Sequence, residues 1–420
     1  MDESIKERLA VLRKGDVPQG YRKTKTGIMP IDWDDTVRAK DLFKNYADKK
    51  HNGDLEILAS TQDNGIVPRS QIGIDIQCSD EGVAGYKKVS KGDFVISLRS
   101  FQGGIEYSEY EGIVSPAYTI LKPIKEISDG YFRNYFKTNT FIQRLNSAVY
   151  GIRDGKQIGY QDFGDLHIHY PPIAEQKKIA EILAQCDKII ELKEKCLEEE
   201  KRRKQWLVKN ILTGKIRLDK FSAPWEETTI GNCVEYLVGY PFASDKFTSC
   251  GIRLLRCSNV KRGCLSWEPS LTMYWRKDDL LKPFLMQPGD IVVAMDGALI
   301  GRSFAVVEES DTPSYLVQRV ARIRSKMNNL IFQWISSDKF ARHIDSRKTS
   351  TAIPHMTIKD ILSFKISIPK SALEATVIGS ALQNQDKIIR LLTEEIYANK
   401  QQKKALMQLL LTGTVRVKTQ

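Results

Sequence analysis

Few residues of this 420-residue chain are spaced for catalysis. A phosphate-cradling loop needs glycine, four residues, then Gly-Lys and a Ser or Thr, so that backbone N–H groups face the phosphates and a hydroxyl reaches a metal ion. The nearest stretch, GIRDGKQ (Gly151 to Gln157), is one residue short and ends in Gln, so it reads as a basic glycine turn. No GxGxxG and no NPP[YF] or DPP[YF] segment is present. Metal chemistry fares no better. There is no CxxC; Cys250, Cys257 and Cys264 straddle a predicted strand and turn with no histidine nearby. His167 and His169 alternate on a predicted strand, LHIHYP, without a carboxylate partner, and read as a packed or solvated pair. Glu191 and Lys193 form an ExK fragment among solvated helix charges. Neither a catalytic residue nor a metal ligand is expected.

The loops that combine basic, amide and aromatic residues point to another chemistry. Arg and Lys neutralise phosphates, and Arg, Asn and Gln make paired hydrogen bonds to base edges. In the first half these loops are SLRSFQGG, with Arg99, Ser100 and Gln102, and VYGIRDGKQIGYQ, with Tyr150, Arg153, Lys156 and Gln157. In the second half LLRCSNVKRG offers Arg256, Ser258, Asn259, Lys261 and Arg262. MYWRKDD offers Trp275, Arg276 and Lys277, and SRKTSTAIPHMT offers Arg347, Lys348, Thr349 and His355. These residues are the candidate DNA contacts. The bulk charge agrees: Lys plus Arg number 64 against 52 Asp plus Glu, a formal net charge of +12, which favours an anionic partner.

What positions these loops is a duplication. DKIIELKEKCLEEEKRRKQWLVKNILTGKIRL (Asp187 to Leu218) returns 199 residues later as DKIIRLLTEEIYANKQQKKALMQLLLTGTVRV (Asp386 to Val417), without a gap and with 12 identities. A period this long exceeds the roughly 20–50 residues of a solenoid repeat and implies a duplicated domain with its helix. PPIAEQKKIAEILAQCDKII opens a helix in which apolar residues recur at intervals of three, four and seven until Gly214 stops it. At about 40 residues it is ~60 Å long and needs a partner helix. The pattern returns over 371–413, so the two helices are expected to pair as an antiparallel coiled coil.

Between the helices, short β-branched and aromatic runs read as strands: LEILAS, DFVISLRS, IVSPAYTIL and LHIHYP. Asp129 to Ser147 and Asn329 to Ile344 each read as one helix covering a sheet. GDFVIS matches GDIVVA, and Trp33 of PIDW matches Trp225 of APW, while the loops between matched strands differ. Ile5, Leu9 and Leu12 share a face of a short N-terminal helix. The expected fold is α+β: residues 1–170 a short helix and a mainly β domain, 171–215 the first spacer helix, 216–370 a related domain, and 371–420 the second spacer helix. The polar start MDESIKERLA is no signal peptide, no apolar run approaches ~18 residues, and seven scattered cysteines read as reduced thiols in a cytoplasmic protein.

These features together resemble the specificity subunit of Type I restriction-modification systems over essentially the whole chain. The resemblance rests on PPIAEQKKIAEIL, the LTGK and LTGT helix ends, GDFVISLRSFQGG, YEGIVSPAY and KPFLMQPGDIVVAMDGALIG, in order within a duplicated chain. It implies two target recognition domains, each reading one part of a split sequence in double-stranded DNA, with the paired helices as spacer. It also implies two methyltransferase subunits docked on those helices, which carry S-adenosylmethionine, and motor-nuclease subunits for cleavage. No cofactor is expected on this chain itself. The second helix departs from the first by opening with IPKSALEATVIGS, whose polar face is thinner. A coiled-coil scaffold with protein-binding globular ends is the competing expectation.

Overall fold

A computed structural model describes residues 3–24, 27–51, 54–62, 64–72, 83–148, 158–349 and 354–418. It is a mixed helix-and-sheet protein with two compact units. The first comprises Met1–Lys193 and Glu395–Gln420, the second Glu194–Glu394. Two long helices, Ile173–Asn210 and Ala372–Leu411, thus each contribute to both units.

The first unit is built on a four-stranded antiparallel sheet in the order Phe43–Tyr46, Thr119–Pro123, Phe94–Ile96, Glu106–Tyr107. The second carries the same frame, in the order Glu235–Val238, Val320–Arg324, Ile291–Ala294, Phe304–Val306. In both, the Gly-Asp pair before the third strand makes the same turn. Asp93 accepts from Ser90 N at 2.8 Å and Asp290 from Gln287 N at 2.8 Å. Each aspartate also meets a cation on the neighbouring strand, Lys122 at 3.7 Å or Arg324. Burial pushes the Asp93 carboxyl up, against the pull of that hydrogen bond and Lys122. What surrounds the frames differs. The first unit adds the ribbons Leu58–Thr61/Gly65–Pro68 and Lys87–Val89/Gly112–Val114. The second adds a three-stranded sheet in which Ile252–Leu255 runs antiparallel to Tyr274–Trp275 and parallel to Ser314–Leu316.

The covering helices depart from expectation in the same way twice. Each expected single helix is two: Asp129–Tyr135 and Asn139–Ala148, then Asn328–Ile335 and Asp338–Asp345. The break is a hydroxyl cap. Thr138 Oγ1 donates to Tyr135 O at 2.7 Å and accepts from Phe141 N at 3.3 Å. Ser337 Oγ donates to Trp334 O at 2.6 Å and accepts from Phe340 N at 3.2 Å. One side chain ends one helix and starts the next. The run IVSPAYTIL is likewise two strands, Gly112–Val114 and Thr119–Pro123, with a turn between them.

LHIHYP is not a strand but makes two isolated bridges, Asp34 with Tyr170 and Arg38 with His167. The segment keeps backbone bonds to its neighbour, Ile168 N donating to Val37 O at 2.9 Å and Tyr170 N to Asp34 O at 3.2 Å, while His169 N donates to the Tyr135 hydroxyl at 3.3 Å and Arg144 donates to the His167 carbonyl. The matching segment in the second unit, Lys365–Pro369, does form a ladder, with Trp225–Thr229. His169 packs beside Trp33 and Tyr135, and burial, with Arg144 nearby, lowers its pKa to about 4.

Within the first unit, residues 173–193 run antiparallel to 395–411. Lys403 reaches Asp187 at 2.6 Å and Lys193 reaches Glu395 at 2.9 Å. Ile179 and Leu183 share a core with Leu410, Leu411, Trp33 and Tyr131. Within the second unit, 194–210 meets 372–394: Lys204 pairs with Asp386, the same pair 199 residues along, and Gln385 donates to Glu200 at 2.5 Å. Leu212 packs with Ala375, Ile378 and Leu382.

A buried carboxylate closes each arrangement. Glu175, at the start of the first long helix, is 2% exposed. It accepts from Trp33 Nε1 at 2.9 Å and from two nitrogens of Arg416, at 2.7 and 2.8 Å. Glu374, 0% exposed at the start of the second, accepts from Trp225 Nε1 at 3.2 Å and from Arg217 at 2.9 Å twice. The helix-stop glycines make room for the two tryptophans. Gly413 and Gly214 sit at φ 71° and 70°. A Cβ on Gly413 would meet Pro30 at 2.5 Å, and one on Gly214 would meet the Trp225 ring at 2.8 Å. The LTGxxR signature is therefore a left-handed stop followed by the arginine that reaches the buried glutamate.

Two outcomes follow. Glu175→Ala leaves the Trp33 indole N–H without its acceptor and Arg416 with Asp32 as its remaining carboxylate, and should lower stability by about 2 kcal/mol in urea unfolding, while the exposed Glu199→Ala leaves the midpoint unchanged. His169 binds a proton in the unfolded chain below its ordinary value of 6.5 but in the fold only near about 4. Stability should therefore fall as pH drops from 6.5 towards 4. A flatter thermal-melting profile over that window in His169→Phe checks the assignment.

Candidate nucleic-acid interface

In both units, the loop after the third strand of the frame is tied to the end of the second covering helix. In the first unit that loop is Ser97–Gly104, with a short helix at Ser100–Gly103. Asn146 Nδ2 holds the Phe101 carbonyl at 2.7 Å. Arg99 and Gln102 are exposed on this loop, as are Leu98 and Phe101. Ser100 has an internal role instead: it is 1% exposed and its Oγ accepts from Ser97 N at 2.9 Å. Tyr150, Arg153, Lys156 and Gln157 lie outside the described residues, in the segment that follows Ala148.

In the second unit the loop is Met295–Arg302. Arg302 makes a two-pronged pair with Asp345 at 3.1 and 2.5 Å, and Lys348 joins the same carboxylate at 2.8 Å. Arg302 and Lys348 hold the Asp345 carboxyl far below its ordinary range. Backbone bonds bring the neighbouring segment in: Gly297 N donates to Pro354 O at 3.1 Å and Met356 N to Met295 O at 2.9 Å. Thr349 and His355 join each other, His355 N donating to Thr349 Oγ1 at 3.0 Å. Arg347 Nη1 stands 3.1 Å from His343 Nδ1 and is exposed.

The stretch Arg256–Gly263 meets the same loop. Cys257 Sγ reaches the Arg319 carbonyl at 2.9 Å, and Phe304 N donates to Lys261 O at 3.1 Å. Ser258, Lys261 and Arg262 are exposed. Asn259 is 0% exposed and shapes the loop, its Oδ1 taking Arg256 N at 3.1 Å and its Nδ2 donating to Ser266 O at 3.0 Å. Arg256 itself donates to Leu271 O at 2.7 Å.

Trp275, Arg276 and Lys277 are placed elsewhere. Trp275 pairs with Ile252, at the end of that strand away from Arg256, and its ring packs against Phe242 in a core with Leu254 and Tyr315. Arg276 and Lys277 are exposed beyond it. The fold thus gathers Arg256–Arg262 and Arg347–His355 around Met295–Arg302, and leaves residues 275–277 apart.

Beside this cluster is a groove of ≈650 Å³ lined by Lys209, Lys215, Arg262, Lys339 and Arg342, with Val208, Leu212 and Trp334 among its apolar walls. Its counterpart in the first unit, ≈100 Å³, has only Lys137 and Lys404 as cations. Among the described residues no group of three or more His, Cys, Asp or Glu side chains is placed to hold a metal ion, and no helix is long and apolar enough to cross a membrane.

The profile of the Type I restriction modification DNA specificity domain matches residues 30–201 and 279–399. The chain belongs to this family of Type I restriction-modification specificity subunits. It is 24% identical over 417 residues to the specificity subunit of the Type I restriction enzyme MjaVIII of Methanocaldococcus jannaschii, covering 93% of this chain and 94% of that one. Over 146 residues it is 32% identical to the EcoAI specificity subunit of Escherichia coli, covering 33% of this chain and 24% of that one. The fold is similar to the crystal structure of a Type-I restriction-modification S subunit from M. genitalium, with TM-score 0.57 and 13% identity, covering 89% of this chain and 95% of that one.

Within this specificity-subunit frame, sequence reasoning passed over Lys209, Lys215, Arg302, Arg319, Lys339 and Arg342. The two lysines near the end of the first long helix read as ordinary solvated helix charges, and the others lie outside the amide-rich runs. Only the tertiary fold places Lys209, Lys215, Arg302, Lys339 and Arg342 around the grooves that Arg262 lines, and Arg319 beside Asp296. Arg262→Ala and Lys339→Ala should each reduce the slope of log K against log salt for DNA binding by about 1. Asn259→Ala should instead lower the melting temperature. Fluorescence titrations from low to moderate salt read the slopes, and thermal melting reads the Asn259 variant.

Proposed function

We propose that this chain is the sequence-specific DNA-binding subunit of a Type I restriction-modification complex and performs no chemistry itself. In this reading each unit recognises one half of a bipartite target in double-stranded DNA. The paired helices set the unread spacing and dock two methyltransferase subunits, which supply S-adenosylmethionine and methylate adenine. Motor-nuclease subunits join for cleavage, and the complex works in the cytoplasm, where its DNA is.

One observation carries the reading: two units share one frame and one buried anchor, yet present different loops at the same place on that frame. Arg99 and Gln102 stand on the first loop and Asp296 and Arg302 on the second. Base edges are distinguished by donor and acceptor pattern, so different loop chemistries on equal frames suit two different half-sites. Two half-sites also supply specificity that one small domain lacks.

Docking is supported by a second repetition. The exposed pair Ile189 (50%) and Leu192 (56%) recurs as Ile388 (42%) and Leu391 (45%). Apolar side chains left open at equivalent points of two long helices suit two copies of one partner. A scaffold that binds only proteins shares this feature, but has no use for the exposed basic loops or the +12 net charge.

Methylome sequencing of cells expressing this chain with its methyltransferase should show one asymmetric, interrupted adenine motif. Exchanging residues 31–170 for the matching part of another family member should change one half of that motif and leave the other intact. An uninterrupted palindrome, or no motif at all, contradicts the proposal.

A further inference from the structure

Arg319 is the one non-glycine residue among the described residues whose backbone is left-handed, at φ 69°. A Cβ disfavours that conformation, whereas glycine adopts it freely. The surroundings impose it. The Arg319 carbonyl accepts from Met295 N at 2.9 Å and from Cys257 Sγ at 2.9 Å. These donors come from the two loops that meet in the second unit's candidate interface. The turn is closed on itself by Val320 N donating to Val317 O at 3.2 Å. The backbone at this position therefore suits glycine, and what arginine adds there is its side chain.

That side chain is 57% exposed and pairs through Nε with Asp296 Oδ2 at 3.5 Å. The other carboxylate oxygen, Asp296 Oδ1, is buried and makes no hydrogen bond among the described residues. Holding a guanidinium by its Nε leaves the edge with the two terminal nitrogens to face outward. That edge matches the O6 and N7 acceptors of guanine in the major groove. A phosphate is the poorer partner, because the Asp296 carboxylate beside the guanidinium repels a second anion.

Resting on the reading of this unit as a reader of one half-site, we propose that Arg319 recognises a guanine of that half-site and that Asp296 orients it. Asp296 is a positioning residue, and the left-handed turn fixes the point from which the guanidinium departs.

The test uses the full chain expressed with its methyltransferase, with methylome sequencing and thermal melting as readouts. Arg319→Gly relieves the backbone and removes the guanidinium; Arg319→Asn, which tolerates the left-handed region, is the second variant. In both, methylation should spread, by about tenfold or more at the non-cognate sites, to targets altered at one G·C position of one half-site. The other half-site should be unchanged, and the melting temperature of Arg319→Gly should equal or exceed that of the parent. An unchanged motif in both variants overturns the proposal. So does uniform weakening at every position, the behaviour of a phosphate contact, or degeneracy at an A·T pair. A lower melting temperature in both variants with the motif intact assigns Arg319 a structural role. If the parent chain itself yields no interrupted motif, the half-site reading fails before Arg319 is in question.

Discussion

The structure depends on a glutamate buried at the start of each long helix. Glu175 and Glu374 sit where desolvation strongly penalises a carboxylate, and each is matched by a guanidinium and an indole N–H. The partners come from distant parts of the chain: Arg416 lies 241 residues from Glu175, and Arg217 lies 157 from Glu374. Each anchor therefore joins the segment that opens one long helix to the tail that leaves the other. A long amphipathic helix has little stability of its own in water. The anchor, with the apolar seam beside it, secures both helix termini in a defined register.

Around this fixed part, the units were free to differ. The sheet order, the Gly-Asp turn, the hydroxyl that splits the covering helices and the tie from helix end to reading loop all occur twice. The ties use different chemistry: an amide to a carbonyl at Asn146 and Phe101, and an ion pair at Arg302 and Asp345. A loop tethered at its flank can change its exposed residues without disturbing the sheet beneath, because its backbone polar groups are already satisfied. Sequence recognition asks this of a scaffold: a constant geometry that carries variable hydrogen-bonding edges.

The charges sort accordingly. Buried or half-buried ones, such as Asp290 with Arg324 and Glu374 with Arg217, hold the frame together. Exposed ones, such as Arg99, Lys261 and Arg262, make no ion pair among the described residues and remain available to a polyanion. The net positive charge of the chain is thus a property of its loops and helix surfaces rather than of its cores.

The sequence by itself determined the architecture's plan. The 199-residue repeat, the 3.6-residue apolar period ending in LTG, and the paired Trp33 and Trp225 identified two related halves and two long helices, because periodicity and helix stops are local properties of a chain. The family resemblance was legible for the same reason. Tertiary structure decided the rest. That Glu395–Gln420 completes the first unit, that LHIHYP meets Asp34 and Arg38 in isolated bridges rather than a ladder, and that Trp275 turns inward against Phe242 all depend on partners far away in sequence. The same holds for Arg319, whose left-handed turn is imposed by Met295 and Cys257. Residue type and spacing record what a side chain is able to do; which way it faces, and what it meets there, is settled only when distant segments compete for the same space.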